Sequence, residues 1–369
     1  MIPPTPQHVL MTADTIGGVW TFALELCAGL SARGTSATLV TFGRMPDAQQ
    51  RASAKAIPNL SLIPTQYRLE WMEDCGAEVM ESGSALLALA RRLQPDVVHA
   101  NTYYHATLPF AAPVLLTAHS CVSSWWHKCK GTALPQHWSW YRAWIAEAVR
   151  KSDLLVAPTQ TYLDEFQALH GSGRRTRVIW NGRSTPVHTA THKEPVVLAA
   201  GRLWDEAKNI DMLAHVAEGT NLRIRVAGDA ISPARHGGDF PKLETLGRLS
   251  AEELAREMRR AAVFAAPARY EPFGLSILEA ARAGCALVLS DIPTLRELWD
   301  GVAGFVDPDD VCAWRGALAA LISDPVIAEA RGHAARERSL RYSADRMAEA
   351  YCDAYASLFA RPKPEGMAA

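Results

Sequence analysis

Two carboxylates with seven residues between them, Glu271 and Glu279, bracket the segment Glu271-Pro-Phe-Gly-Leu-Ser-Ile-Leu-Glu279. The unbroken apolar run Val263-Phe-Ala-Ala266 ahead of it reads as a strand buried on both faces. Pro267 and Pro272 interrupt regular structure, and a short helix starts at Gly274 and stops at Gly284. The first N–H groups of that helix, at Gly274, Leu275 and Ser276, have no partner within the helix and make a seat for a phosphate. One acid is enough for the helix dipole, an effect of ~0.3–1 kcal/mol. That accounts for Glu271 and leaves Glu279 over. A carboxylate accepts up to about four hydrogen bonds, so an anion seat flanked by two such groups suits a sugar nucleotide.

Other groups could serve the same chemistry. In Gly201-Arg202-Leu-Trp-Asp-Glu-Ala-Lys208-Asn209, Arg202 offers a fixed fork and Lys208 a point charge, together enough to neutralise a diphosphate. The plainer alternative is a solvated basic pair with Glu206 as its partner. Gly17-Gly18 follows the first strand, where paired glycines serve a turn or let a phosphate approach. The full G-x-G-x-x-G is missing and no acid follows the second strand, which disfavours a nicotinamide or flavin. His119 closes Leu115-Leu-Thr-Ala at another strand end. Trp125 and Trp126 are expected in a loop just after it, stacking on an acceptor sugar or resting at a membrane interface; the small basic cluster beside them favours the sugar. Trp140 and Trp144, at i, i+4 spacing, read as core. Asp307-Pro-Asp309-Asp310 contains a D-x-D that reads better as a helix cap than as a metal site.

The segment Glu271–Glu279 resembles the E-x7-E signature of retaining GT-B glycosyltransferases, specifically glycosyltransferase family 4. Gly17-Gly18, His119, Asn181-Gly182, Arg202/Lys208, Gly247, Glu271…Glu279 and Gly304 follow in the family's order. The resemblance implies an α/β chain of two doubly wound Rossmann-like domains facing a central cleft. It implies that Gly17 and Gly18 close over the donor diphosphate and that His119 touches the transferred sugar. Arg202, Lys208 and the amides of Gly274, Leu275 and Ser276 would hold the diphosphate. Glu279 would hold the ribose and Glu271 the sugar hydroxyls, with Gly247, Arg248 and Phe273 completing the donor site. His119, Arg202, Lys208 and Glu271 are then the catalytic candidates, in a front-face reaction that needs no metal and no cofactor. This chain departs from the family pattern in having one more residue between Arg202 and Lys208, and Asn209 where Gly is usual. A sugar-nucleotide epimerase, a glycosyl phosphorylase and a non-catalytic sugar-nucleotide sensor remain as alternatives, and UDP is the commonest base in the family.

Alternating strand and helix patterns must position these groups, and alternation indicates parallel, doubly wound sheets. An acceptor-side domain is expected over 1–184 and a donor domain over 195–342, joined by the aperiodic stretch Arg183–Pro195. A terminal helix over 343–360 packs back on the first domain if the resemblance holds. The 369 residues carry 38 basic and 39 acidic side chains, which gives no overall case for nucleic acid. Seven scattered cysteines without a C-x-x-C pair read as reduced thiols, and the N-terminus lacks a signal-peptide pattern. A cytoplasmic protein with at most peripheral membrane contact is the expectation.

Overall fold

The computed structural model describes residues 6–184, 193–231 and 240–359. These divide into two compact units. One takes the described residues of Met1–Ser124, Ala133–Gly182 and Ala344–Ala369, the other those of Trp125–Thr132 and Arg183–Ser343.

The strands of the first unit are β1 (His8–Asp14), β2 (Ser36–Phe42), β3 (Leu60–Pro64), β4 (Val97–Ala100), β5 (Val114–Thr117), β6 (Leu154–Ala157) and β7 (Thr176–Val178). Its helices are α1 (Gly18–Ser31), α2 (Ala48–Lys55), α3 (Gly76–Leu93) and α4 (Tyr103–Ala106), then α5 (Val122–Lys130), which runs past the unit's limit, α6 (Ser139–Lys151) and α7 (Gln160–His170). All strand pairings are parallel, in the order β3-β2-β1-β4-β5-β6-β7. The direction of winding reverses between β1 and β4, which leaves a crevice at their carboxyl ends where doubly wound sheets bind ligands. β1 and β4 are apolar and fully enclosed at Val9–Met11 and Val97–Val98, as strands covered on both faces must be.

The second unit contributes β8 (Glu194–Ala200), β9 (Arg223–Ala227), β10 (Glu244–Gly247), β11 (Ala261–Ala266), β12 (Ala286–Ser290) and β13 (Gly304–Val306). Between them lie α8 (Ile210–Ala217), α9 (Ala251–Arg260), α10 (Leu275–Arg282), α11 (Pro293–Trp299), α12 (Val311–Ser323) and α13 (Pro325–Ser339). The order β10-β9-β8-β11-β12-β13 reverses between β8 and β11. One face of the sheet packs on Leu213 and Trp314, the other on Phe273, Trp299 and Tyr342. A capping box opens α9: Ser250 Oγ accepts from Glu253 N at 3.2 Å, and Glu253 Oε2 accepts from Ser250 N at 2.8 Å.

The remaining helix, α14 (Ala344–Phe359), belongs to the first unit and packs on α1. Gly29 permits the approach, because a Cβ there would lie 2.4 Å from Ala348 Cβ. Some boundaries differ from the sequence reading. The first unit ends at Gly182, and Trp125–Thr132 joins the second unit although it lies in the first half of the chain. Most of the expected linker, 185–192, falls outside the described residues. Helix α3 begins at Gly76, two residues after Asp74, whose left-handed φ of 52° is outside the helical region. Among the described residues no single helix is long and apolar enough to cross a membrane.

Candidate active site

At the carboxyl ends of β8 and β11 the second unit has a crevice lined by Ala200, Lys208, Pro267, Glu271, Ser276 and Ile277. The loop after β11 turns into α10 through Gly274, whose φ is 84°. That φ favours glycine, and a Cβ at Gly274 would in addition press on the Ile277 side chain, 2.7 Å from its Cδ1. Lys208 reaches the crevice from the β8 side and places Nζ 2.5 Å from Glu271 Oε2. The extra residue between Arg202 and Lys208 is taken up by a 3-10 turn, Glu206–Lys208, with Asp205 accepting from Ala207 N at 3.0 Å. Asn209 then takes a left-handed φ of 52°, which asparagine tolerates where glycine is usual. Its Nδ2 donates to Pro267 O at 3.0 Å and Pro308 O at 2.9 Å, tying this loop to its neighbours. Cation, carboxylate and helix N-terminus thus meet at one edge of the second sheet.

Other contacts in this unit correct the sequence reading. Arg202 pairs with Asp205 Oδ2 at 2.6 Å and lies over the Trp204 ring, whereas Glu206 pairs with Lys130 Nζ at 2.5 Å. Buried Asp205 also accepts from Trp125 Nε1 at 2.8 Å. Nearby Arg202 is the foremost attraction holding its carboxyl below the usual range; burial opposes it. Trp125 and Trp126 are on helix α5 and not in a loop. Their indole N–H groups donate to Asp205 and to Thr132 Oγ1 (3.1 Å), and both rings are half-buried. Phe273 is buried edge-on against Tyr342, which makes its ring part of the core. Leu275 lies partly covered on the same core. Glu279 Oε1 is 2.7 Å from Arg183 Nε, a partner no sequence pattern announced. Gly247 has a φ of 66° and its carbonyl accepts from Gly228 N at 2.8 Å; Arg248, beside it, is exposed. The helix cap expected at Asp307–Asp310 is present: Asp310 caps α12 by accepting from Ala313 N at 2.9 Å, and Asp309 pairs with Arg269 at 2.7 Å. Trp140 and Trp144 are half-buried, stacked edge-to-face on each other, while Tyr141 and Ile145 take the core positions on α6.

The carboxyl edge of the first unit carries the other candidates. Gly17 and Gly18 sit where β1 passes into α1, and Asp14 Oδ1 accepts from Ile16 N at 3.1 Å and Gly17 N at 3.2 Å. His119 follows β5, with its ring edge-on to Phe22 and Nε2 at 2.8 Å from Asn101 Oδ1. Burial pulls its pKa down to about 3, so the ring is neutral. Behind it, buried His99 bridges Tyr355 OH (2.7 Å) and Thr117 Oγ1 (2.8 Å). Neither Asn101 nor Asp14 belongs to a motif, and each shows itself only through the neighbour it holds.

Glu70 is a further group that pattern reading missed. Its buried carboxylate accepts from Tyr103 N at 2.7 Å and Tyr104 N at 2.9 Å at the start of α4. Burial outweighs these bonds and raises its pKa from 4.5 to about 7. A carboxyl that binds its proton more tightly when folded adds stability below pH ~4.5, and loses it as pH rises through about 7. At ~1.4 kcal/mol per pH unit the loss is about 3 kcal/mol. The melting temperature should therefore fall between pH 5 and pH 8, and Glu70→Gln should flatten that dependence.

Comparison with known proteins meets this geometry. Residues 16–185 match the profile of Glycosyltransferase Family 4, and residues 194–324 that of Glycosyl transferases group 1. A glycogen synthase of Mycobacterium tuberculosis is 30% identical over 296 residues, 73% of this chain and 71% of that protein. An alpha-maltose-1-phosphate synthase of the same species is 37% identical over 117 residues, 29% of this chain and 30% of the other. Among solved structures, sucrose-phosphate synthase from Thermosynechococcus elongatus superposes with a TM-score of 0.80 at 21% identity, over 96% of this chain and 99% of that one. Anabaena HepE in complex with UDP-glucose superposes with a TM-score of 0.75 at 16% identity, over 95% and 99%. With both sheets wound in the same order and both halves matched in sequence, the chain belongs to glycosyltransferase family 4 and has the GT-B fold.

Proposed function

We propose that the protein is a retaining glycosyltransferase that moves a hexosyl or pentosyl group from a nucleoside-diphosphate sugar to an acceptor hydroxyl in saccharide or glycoconjugate synthesis. The observation that carries this reading is the crevice between β8 and β11, where Lys208, Glu271 and the N-terminus of α10 converge. The diphosphate seats on the amides of Gly274, Leu275 and Ser276, with Lys208 and Arg202 neutralising it as it departs. Glu279, oriented by Arg183, takes the ribose hydroxyls, and Glu271 exchanges its bond to Lys208 for bonds to the sugar. Gly247 and Arg248 border the base. His119 and the Gly17-Gly18 turn supply sugar- and phosphate-facing groups from the first unit. A phosphate oxygen of the donor takes the proton of the incoming hydroxyl. The protein's part is then positioning and charge stabilisation, with no metal or cofactor needed for either.

UDP-glucose is the donor to test first, because a family relative is named a glycogen synthase and a structural neighbour holds UDP-glucose. A cytoplasmic setting agrees with seven cysteines none of which forms a disulfide. Melting-temperature shifts with UDP-, ADP- and GDP-sugars, followed by nucleoside diphosphate release against a panel of saccharide acceptors, test the reading. Retention is read from the anomeric proton coupling of the product. Diphosphate release without acceptor, or epimerised donor, would replace transfer by epimerisation or hydrolysis. Tight donor binding with no release under any acceptor would make the protein a sensor.

A further inference from the structure

Three adjacent strand ends of the first unit converge on one imidazole. Thr12 lies in β1, Asn101 directly follows β4 and His119 follows β5. Asn101 is held at both its backbone and its side chain: its N–H donates to Thr12 Oγ1 at 2.9 Å, and its Nδ2 donates to Thr12 O at 2.7 Å. A main-chain carbonyl can only accept, so the amide end facing Thr12 O must be the nitrogen. The other end is therefore the oxygen, which can only accept, and it lies 2.8 Å from His119 Nε2. His119 Nε2 must carry the proton and donate it to Asn101. Nδ1 has no hydrogen-bond partner among the described residues and is not enclosed.

We propose that Asn101 is a positioning residue that fixes His119 as the Nε2–H tautomer, presenting Nδ1 as a bare acceptor for a sugar hydroxyl. The word sugar rests on the glycosyl-transfer reading above; the tautomer does not. The groups nearest the ring, and those behind them, do not compete for its proton. Phe22 of α1 lies edge-on at 4.5 Å, and His99 of β4 is saturated by Tyr355 of α14 and Thr117 of β5. Tyr351 of α14 is held by Thr117 at 3.1 Å and kept neutral by burial. Burial alone disfavours the imidazolium, so the ring carries one proton, and Asn101 decides which nitrogen holds it.

Ring-15N-labelled histidine in the full-length protein tests the assignment, with the His119 signals identified from their loss in His119→Gln. The expected spectrum shows a protonated Nε2 and an unprotonated Nδ1, unchanged from pH 5 to pH 9. A protonated Nδ1, or a fast-exchanging mixture, overturns the proposal. In Asn101→Asp the added carboxylate should favour the imidazolium and bring a His119 titration into that pH range; an unmoved spectrum overturns the positioning role. If that variant does not fold, Asn101→Ser removes the acceptor without adding charge, and the tautomer should become mixed. Adding whichever of UDP-, ADP- or GDP-glucose raises the melting temperature should shift the Nδ1 signal in the direction of hydrogen-bond acceptance. Bound donor with no such shift overturns the hydroxyl contact. If no sugar nucleotide binds, the transfer reading fails while the tautomer result still stands by itself.

Discussion

Lys208→Met is expected to lower kcat/KM for transfer by roughly 10- to 150-fold with little change in fold, because a charged hydrogen bond contributes ~1.5–3 kcal/mol. The ammonium is held 2.5 Å from Glu271 in a crevice that Ser276, in the first turn of α10, also lines, so it is positioned before any phosphate arrives. Its removal acts twice: the departing diphosphate loses a cation, and Glu271 loses its partner. The double variant Lys208→Met, Glu271→Gln separates these effects. If the lysine serves only to neutralise Glu271, the double variant should match Glu271→Gln alone in both melting temperature and turnover. If it serves the diphosphate, the melting temperatures match and the turnover of the double variant falls well below that of Glu271→Gln. Unchanged kinetics in Lys208→Met would remove the lysine from the site. Arg202 should follow the same pattern with a smaller effect, since its side chain is 40% exposed and shared with Asp205.

Gly228→Ala should be the most damaging single methyl addition near the site. Gly228 follows β9 with a φ of 144°, and a Cβ there would lie 1.7 Å from Gly201 O, a backbone atom with no rotamer to move away. Its N–H donates to Gly247 O at 2.8 Å, while Gly201 N donates to Ala227 O at 3.0 Å. The ends of β8, β9 and β10 are laced together there, immediately before Arg202. Overpacking and backbone strain of ~1–3 kcal/mol each put the cost at about 3 kcal/mol or more. That corresponds to a melting temperature lower by roughly 6–12 °C, and donor affinity should fall with it as Arg202 is displaced. Gly219→Ala is the control. Its φ of 74° carries similar strain, but nothing lies within 4 Å of the added methyl. Equal losses in the two variants would show that the close approach of the loops does not matter.

The strand and helix order was legible from the sequence because buried parallel strands are short apolar runs and the intervening helices have their own period. The alternation expected in both halves is present, and the apolar run Val263–Ala266 lies within β11. The turn at Gly274 and the helix after it were legible for a similar reason, since Pro267, Pro272 and Gly274 constrain local backbone whatever surrounds them. The α3 start was not, because Asp74 adopts a left-handed conformation that its type merely tolerates. Trp125 and Trp126 were misplaced because the partners of their indole N–H groups, Asp205 and Thr132, lie outside the helix period of their own segment.

The sequence by itself determined which residue types could meet a sugar nucleotide, since glycine, proline and strand-end positions act through local backbone geometry. Partner choice was decided only by tertiary structure. Lys208 with Glu271, Arg183 with Glu279, and Asn101 with His119 are separated by 63, 96 and 18 positions in the chain. No local rule connects such residues. Their charges and protons are assigned when parallel strands from distant segments are brought side by side and their carboxyl ends share one edge.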